Sequence, residues 1–497
     1  MRPLAVYLPE FQGSTGFGEV ASPKNLRQHQ ARNAPSNPLL VVLGSTGTGK
    51  SELAIELATR FSGEIVNADA MQMYKGLPII TNKVTVEERR GIPHHLLDHI
   101  GLDQPPWIIE DFKREANDVI REIRSRGNLP IVVGGTHYYT NALLFEDTII
   151  QAEDAEHKEE PDEAAFPILG EPTDVILAKL REVDPVMADR WHPNDRRKIS
   201  RSLQIYLQHG RPASEIYAEQ RQRKMAGKSD GASPWQALMF WVYSDPEVLK
   251  ERLDKRVDKM LTAGLNDETQ SMYEYVRVKD AAGEEVDYTR GIWQSIGFKE
   301  FEPYLKALNG PDATEHKDLE ALEAKGLEDM KVSTRQYAKY QTRWIRTKIV
   351  PLLQEKPRAM DHLFVMDSTD ISKWSSNVID PAVDVARRFL KGNELPDPTS
   401  LSERTGSVLR EASSQSERTL CRRTCDICQT TCVTEQDWTK HVKSRRHGVL
   451  VKKTKRRALA TEKRPMAVVP VEEEPIETAD RPSSPEMDGL GIFEAPS

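Results

Sequence analysis

The chain has 497 residues, a length that predicts about two to four structural units. Its 69 Lys and Arg residues stand against 77 Asp and Glu residues, and the net charge of −8 excludes a surface that binds polyanions everywhere. No run approaches the roughly 18–20 apolar residues of a membrane helix, which excludes an integral membrane protein.

Residues 1–36 lack apolar periodicity and contain Gly, Ser, Asn and Pro, which predicts a flexible arm. The basic residues of this arm suit a mitochondrial presequence, whereas Glu10 and Glu19 argue against one because presequences are poor in acids. We therefore expect a cytoplasmic protein, and the sequence leaves a mitochondrial or nuclear location open.

Short apolar runs alternate with helical patterns from residue 37 onward. The runs are PLLVVLG, EIVNAD, LPIVVGGT and ALMFWVYS, and the helical pattern SELAIELATRF follows the first of them. Strands that alternate with helices need crossover connections, so the sequence predicts an α/β core with a mainly parallel sheet. We assign this P-loop NTPase-like core to residues 37–145 and 236–350.

The other segments are predicted from composition and helical pattern. Residues 146–235 form a helical insertion that begins with an acidic stretch at 146–163. Residues 351–418 read as a C-terminal extension and polar linker. A zinc finger is predicted at 419–455 and a disordered, Pro/Ser-rich and acidic tail at 456–497.

The segment GSTGTGKS fits the G-x-x-x-x-G-K-[ST] pattern between a strand and a helix, which is the context that this phosphate-binding loop requires. Its glycines let successive backbone N–H groups turn toward a phosphate. Lys50 supplies a charge to the outer phosphate, and Ser51 offers a hydroxyl to Mg²⁺. The predicted diphosphate-binding residues are Gly44, Ser45, Thr46, Gly47, Thr48, Gly49, Lys50 and Ser51.

A phosphate loop does not specify what happens to the phosphate. A kinase or hydrolase places an acid at the end of another strand to hold Mg²⁺. The strand LPIVVGGT ends without a carboxylate, whereas EIVNAD ends in Asp69. A capping or structural role for Asp69 is the simpler alternative, and the residues alone leave nucleotide hydrolysis and transfer of a pyrophosphate-linked group both open.

All four cysteines lie within CRRTCDICQTTC, which argues against a distributed disulfide framework and for a metal site. The spacing C-x2-C-x12-H-x5-H matches a Cys2His2 zinc site, with Trp438 available to pack its small core. The predicted Zn²⁺ ligands are Cys425, Cys428, His441 and His447. The basic segments KSRRH and KKTKRR favour contact with an RNA backbone, and nuclear import is the other use of the second segment.

Eight segments in order, from about Leu39 to Arg346, resemble the tRNA dimethylallyltransferases, which add an isopentenyl group to N6 of adenosine 37 beside the anticodon. The segments are GSTGTGKSELAIELA, EIVNADAMQMYKGLPIITNK, GIPHHLLD, VVGGTHYYTNALL, HPNDRRKISRSLQIY, RLDKRVDKMLTAGLNDE, GIWQSIGFKEF and STRQYAKYQTRWIR. Eight ordered matches are a far more specific signal than a phosphate loop alone. The resemblance implies a tRNA substrate and dimethylallyl diphosphate as the donor.

The same resemblance implies roles for three further residues. Asp69 would be the general base that takes a proton from the attacking adenine amine. Thr136 matches a threonine at the mouth of the reaction channel, and Arg256 matches an arginine that grips the pyrophosphate together with Ser51 and Mg²⁺. From sequence alone, Arg256 reads equally as an exposed helix arginine.

The resemblance also implies the surfaces that contact tRNA. The adenine must be flipped out of the anticodon loop, at a cost of about a few kcal/mol that backbone contacts offset. The implied contacts are Asp69, Ala70, Met71 and Gln72 beside the channel, and Arg197, Lys198, Ser200 and Arg201 on a basic helix. Eukaryotic family members clamp the anticodon stem with their finger. The acidic stretch departs from the short bacterial forms, and we expect it to loop into solvent.

Two rival hypotheses remain at this stage. One is a P-loop kinase or NTPase with an RNA-binding zinc finger, and the other is an RNA-binding protein that keeps a vestigial nucleotide fold. Intact Lys50, Ser51 and Asp69 argue against the second. The sequence carries no signal for oligomerisation, so a monomer is expected.

Overall fold

The computed structural model describes residues 34–145, 166–225, 234–284, 286–310, 316–414 and 420–462. Nearly all of the predicted N-terminal arm, the acidic stretch at 146–163 and the tail beyond residue 462 lie outside these described residues. No helix among them is long and apolar enough to cross a bilayer.

A six-stranded sheet forms the centre of the protein, in the order β3-β2-β4-β1-β5-β6. Every paired neighbour in it runs parallel. Its strands are β1 (Pro38–Gly44), β2 (Gly63–Asn67), β3 (His94–His95), β4 (Leu129–Val133), β5 (Gln236–Tyr243) and β6 (Leu363–Asp367). The predicted α/β core with a parallel sheet is thereby confirmed.

Helices cover both faces of this sheet. Leu39, Val41 and Leu43 of β1 point into one apolar cluster, and Leu40 and Val42 point into the other. Side chains alternate between faces in a strand, so a strand buried on both sides reads as a continuous apolar run. The helices between β1 and the insertion are α1 (Lys50–Phe61), α2 (Ile109–Ser125) and α3 (His137–Leu144).

The insertion packs around an apolar cluster of its own. Its helices are α4 (Thr173–Val183), α5 (Pro185–Arg190), α6 (Arg196–His209) and α7 (Ala213–Met225). Asp184 is almost fully buried here and accepts hydrogen bonds from the N–H groups of Met187 at 3.1 Å and Ser214 at 2.9 Å. The carboxylate thereby caps α5 and ties it to the start of α7.

A helical layer follows the fifth strand. It contains α8 (Pro246–Thr262), α9 (Leu265–Ala281), α10 (Phe298–Leu308), α11 (His316–Trp344) and α12 (Val350–Gln354). One π-helical turn, Ile345–Ile349, joins the last two of these helices. Ion pairs from Arg335 to Asp254 (2.6 Å) and from Lys331 to Asp258 (2.7 Å) dock α11 against α8.

The core extends past its predicted boundary at residue 350. Strand β6 pairs with β5 and completes the sheet, and helix α13 (Asp380–Leu390) packs on one face of it. Helix α14 (Glu403–Ser413) lies within the predicted linker and buries Val408, Leu409 and Ala412 in the main core. The strand is only five residues long and the helix is mostly polar, so neither gives a strong periodic signal.

The finger comprises the antiparallel strands β7 (Leu420–Thr424) and β8 (Thr431–Thr434) and helix α15 (Glu435–Lys443). Helix α16 (Arg445–Glu462) continues beyond it. This helix crosses the predicted boundary between finger and disordered tail at residue 456, because KKTKRRALATE contains strong helix formers.

Candidate active site

The carboxyl ends of β1, β2 and β4 converge at one edge of the sheet. The loops after β2 and β4 are joined by hydrogen bonds from Ala68 N–H to Val133 O (2.8 Å) and from Thr136 N–H to Ala68 O (3.3 Å). A Cβ atom on Gly134 would lie 2.1 Å from the carbonyl carbon of Ala68, so only glycine allows this approach. The Gly-Gly-Thr sequence therefore brings Asp69 and Thr136 together.

The loop after β1 has the conformation expected of a phosphate cradle. Gly44, Gly47 and Gly49 have φ values of 143°, 80° and 91°, in the region that favours glycine. The Thr48 hydroxyl donates to Ser45 O at 2.9 Å and tightens the turn. Helix α1 begins directly after it at Lys50, so free N–H groups and the positive end of the helix face the cradle.

Lys50 is folded back into this cradle. Its Nζ donates to Ser45 O at 2.8 Å. Burial lowers the pKa of Lys50 to about 8, an effect that Asp69 opposes and Arg256 reinforces. An anion bound in the cradle would stabilise the charged form of this lysine, because the anion would compensate the lost hydration of the ammonium.

Arg256 reaches the same cradle from helix α8. Its Nη1 donates to the Thr46 hydroxyl at 3.0 Å, and its buried Nε has no hydrogen-bond partner among the described residues. Burial lowers the pKa of Arg256 to about 10, and Asp69 opposes that shift. A buried guanidinium with an unused N–H fits an oxyanion ligand such as diphosphate.

Arg252 lies one turn before Arg256 and holds the cradle from outside. Its Nη1 donates to Gly47 O at 3.4 Å, and its Nη2 donates to Ser368 O at 3.1 Å. Arg252 thereby connects the phosphate loop to the end of β6. The C-terminal extension is consequently part of the framework of the site.

Asp69 lies beside the cradle at the end of β2. Its N–H donates to Asn67 Oδ1 at 3.1 Å, and its Oδ1 accepts the N–H of Met71 at 3.2 Å. Burial raises the pKa of Asp69, whereas Lys50 and the backbone N–H groups of the surrounding loops lower it. A carboxylate with a raised pKa is a stronger base than one in water.

Thr136 is buried next to Asp69 and has a structural contact. Its hydroxyl oxygen accepts the N–H of Ala70 at 3.0 Å. The threonine thus holds the chain segment directly after the base. The position expected from the resemblance, at the mouth of the reaction channel, and its role in the reaction stay predictions.

Three further residues at this site were not singled out from the sequence. The Gln341 side chain contacts both loops, and the Tyr337 hydroxyl lies 3.5 Å from Gly135 O. His137 is buried with no hydrogen-bond partner for either ring nitrogen among the described residues, and burial lowers its pKa to about 3. The imidazole is therefore neutral at physiological pH. All three lie in segments quoted above, but no spacing rule marks them.

The finger brings its four predicted ligands together. The Cys428 Sγ lies 3.3 Å from His447 Nδ1, and the Cys425 Sγ lies 3.6 Å from the same atom. One ligand atom from each of Cys425, Cys428, His441 and His447 lies within 4.8 Å of every other. Two thiolates and two imidazoles at this separation suit tetrahedral Zn²⁺. Cys421 and Cys432 lie outside the group.

The chain is similar in sequence to known proteins. The IPP transferase family matches residues 72–348, and a C2H2-type zinc finger matches residues 423–447. The tRNA dimethylallyltransferase of Schizosaccharomyces pombe is 40% identical over 437 residues, which cover 85% of this chain and 96% of that protein. The chain belongs to the tRNA dimethylallyltransferase family.

Two further members support this assignment. The human tRNA dimethylallyltransferase is 35% identical over 420 residues, which cover 84% of this chain and 87% of the relative. A crystal structure of a eukaryotic dimethylallyltransferase acting on tRNA superposes with a TM-score of 0.71 at 33% identity, covering 86% of this chain and 99% of that one. The predicted family membership, fold class and zinc finger are confirmed.

The segment Ala70–Gln72 follows Asp69 directly and is called the rim below. Ala70 precedes a single 3₁₀ turn, Met71–Met73, and both Ala70 and Met71 are half-buried. The Gln72 amide donates to Thr81 O at 3.2 Å and Asn82 O at 3.1 Å. The rim is thus held in place while its outer atoms remain accessible.

The basic residues predicted on the insertion lie on helix α6, which packs in the insertion's own cluster. Arg197 is exposed. Lys198 pairs with Asp195 at 2.8 Å, and Arg201 donates to Gln204 at 3.3 Å. Ser200 is half-buried between them. The structure places these four side chains on an element separate from the sheet edge that carries Asp69.

The finger is docked on the insertion. Arg422 of β7 donates to Ala188 O at 2.7 Å and lies 3.5 Å from the carboxylate of Asp189. Helix α16 then carries the basic segment KKTKRR away from the zinc site. The insertion and the finger consequently form one connected surface.

Proposed function

We propose that the protein transfers the dimethylallyl group of dimethylallyl diphosphate to N6 of adenosine 37 in tRNA and releases diphosphate. The observation that carries this proposal is the clustering of Lys50, Arg256 and Asp69 at one sheet edge, where both cations donate to the phosphate loop and the charge of Asp69 raises the pKa of each. A leaving-group site and a base are therefore adjacent. A kinase would instead need a carboxylate that holds its metal.

The cradle stabilises the leaving group. As the C1–O bond breaks, its electron pair passes to the diphosphate, whose charge grows at the cradle. Lys50, the unused N–H of Arg256 and the uncapped N–H groups at the start of helix α1 are the donors available to that charge. Donors that are fixed before the reaction stabilise developing charge without reorganising.

Mg²⁺ fits the same site. Ser51, the second residue of helix α1, lies next to Lys50 and would offer its hydroxyl oxygen to the ion, a type of ligand that this hard cation prefers. This hard cation adds charge neutralisation of the diphosphate when it is bound. The protein's part is to position Ser51 and to keep the cradle partly dry.

Asp69 acts on the nucleophile. The N6 amine of adenine is a weak nucleophile because its lone pair is delocalised into the ring. As the N6–C1 bond forms, one amine proton passes to the Asp69 carboxylate. The raised pKa of Asp69 favours this transfer, and the N–H of Met71 keeps the carboxylate oriented.

The tRNA is held at the anticodon stem-loop. The rim Ala70–Gln72 would contact the flipped adenosine and its neighbours, and Arg197 with its helix would contact the phosphates. The finger and helix α16 extend this contact along the stem. We propose that the protein is a monomer, because one chain contains the cradle, the base and the RNA surface. We also propose that it works in the cytoplasm.

Product analysis tests the proposal directly. Purified protein with Mg²⁺ and unmodified tRNA is incubated with dimethylallyl diphosphate or with ATP, and the nucleosides are analysed by mass spectrometry. We expect one added C5H8 group per tRNA, present with adenosine 37 and absent when position 37 is guanosine. The variant Asp69→Asn is the matched control. Phosphate release from ATP without prenyl transfer would favour the kinase or NTPase alternative.

A further inference from the structure

The carboxamide of Gln341 bridges the two halves of the active site. Its Oε1 accepts the N–H of Thr46 at 2.6 Å, and its Nε2 donates to Gly135 O at 2.9 Å. Gln341 is 1% exposed, on helix α11. The phosphate loop and the loop after β4 are therefore connected through one buried side chain.

The chemistry of the partners fixes the orientation of this amide. A backbone N–H can only donate and a backbone carbonyl can only accept, so the side chain needs one acceptor and one donor at these two positions. A Cβ atom on Gly135 would lie 2.3 Å from Nε2, so the close approach depends on glycine. Glutamine at 341 and glycine at 135 thus form a matched pair.

Each end of the bridge continues to a reacting group. The Thr46 hydroxyl accepts a hydrogen bond from Arg256, which faces the leaving group in the proposed reaction. On the other side, the Asp69 carboxylate lies against Gly135, because a Cβ there would come within 3.1 Å of Asp69 Oδ2. Tyr337 lies one helical turn before Gln341, with its hydroxyl 3.5 Å from Gly135 O. The same face of helix α11 therefore contacts the loop after β4, which lies against Asp69, through both Tyr337 and Gln341.

We infer that Gln341 is a positioning residue that sets the separation and orientation of the diphosphate cradle relative to the Asp69 carboxylate. This inference rests on the proposed function. Gln341 contacts the two loops and neither reacting atom, so its removal alters alignment more than binding. A misplacement of about 1 Å in a reacting geometry can cost about 10²-fold in rate.

The variant Gln341→Met tests the inference, because methionine has a similar length and neither polar group of the amide. We expect the single-turnover rate of prenyl transfer to fall about 10- to 100-fold. The Kd values for tRNA and for dimethylallyl diphosphate are expected to stay within about two-fold of wild type. Gln341→Asn keeps the amide but is one methylene too short to span both loops, and we expect a smaller loss of rate.

A matched control separates positioning from docking of the helix. Arg335 lies on the same helix and pairs with Asp254 at 2.6 Å, away from both loops. Arg335→Met is expected to lower the Tm while its single-turnover rate stays within about two-fold of wild type. Equal rate losses in Arg335→Met and Gln341→Met would overturn the inference, because both would then reflect a loosened helix.

The assay also distinguishes this inference from the proposed function. Wild-type protein that transfers no prenyl group contradicts the proposed function itself. Active wild type with an equally active Gln341→Met contradicts only the inference. If Gln341→Met fails to fold, the transfer rate of Gln341→Asn tests the inference instead. A wild-type rate for that variant overturns the positioning role.

Discussion

The sheet edge and the zinc finger position their polar side chains by opposite means. At the sheet edge, Asp69, Arg256 and Lys50 are held by hydrogen bonds to loops that a large apolar core supports. In the finger, four ligand atoms cluster at the end of a two-stranded hairpin and a nine-residue helix. A unit of that size buries too little apolar surface to fold without its metal.

This difference predicts separable functions. Charges at the sheet edge are desolvated, so changes there alter the chemical step. The finger connects to the insertion through Arg422 and presents a basic helix, so changes there alter the affinity for tRNA. The following variants are chosen to break one region and leave the other intact.

The largest effect among these variants is expected for Arg256→Met. It removes a buried guanidinium from the cradle, and we expect the rate of transfer to fall about 10²- to 10³-fold. The Kd for tRNA should stay near that of wild type, because Arg256 contacts Thr46 in the diphosphate cradle. Single-turnover kinetics and filter binding measure the two quantities.

Lys259→Met is the control for that variant, since Lys259 is exposed on the same helix. We expect wild-type kinetics from it. An Arg256→Met enzyme that transfers the prenyl group at the wild-type rate would exclude Arg256 from the cradle's function.

A smaller effect is expected on removing a zinc ligand. Cys428→Ser should lower the zinc content and raise the KM for tRNA about ten-fold, while kcat changes by less than about two-fold, because lost phosphate contacts weaken binding only. Cys421→Ser is the control, since Cys421 lies outside the ligand group. Loss of zinc without any change in KM would contradict a role of the finger in tRNA binding.

The smallest effect is expected at the contact between finger and insertion. Arg422→Ala removes the hydrogen bond to Ala188 O, and we expect the KM for tRNA to rise about two- to three-fold, in the range of an exposed polar contact. Arg422→Lys keeps the charge but not the guanidinium geometry. If Arg422→Ala has the wild-type KM for tRNA, the contact between finger and insertion does not contribute to tRNA binding.

The sequence predicts those parts of the protein whose geometry depends on local spacing. The glycines of the phosphate loop and the four zinc ligands lie within short segments, and the structure brings each set together as the spacing implies. Asp69 was found because it ends an apolar strand. Each of these sites can therefore be predicted from a single strand or a single motif.

Other features depend on contacts between distant segments. Gln341 bonds Thr46 across 295 residues, and no periodicity or spacing rule connects them. Strand β6 is not recognised from the sequence because it is short and follows a polar interval, yet it pairs with β5 and its first four residues are buried, two on each face of the sheet. Arg256 reads from sequence as an exposed helix residue and becomes buried only when helix α8 docks on the phosphate loop.

The most direct test of the central claim is the pH dependence of single-turnover transfer with wild type and Asp69→Asn. Burial raises the pKa of Asp69, and its base form is lost as the pH falls through that pKa. We therefore expect the wild-type rate to decline on the acid side, and Asp69→Asn to be about 10²- to 10⁴-fold slower with that decline absent. An Asp69→Asn enzyme with a near wild-type rate, or with the same acid decline, would contradict the account.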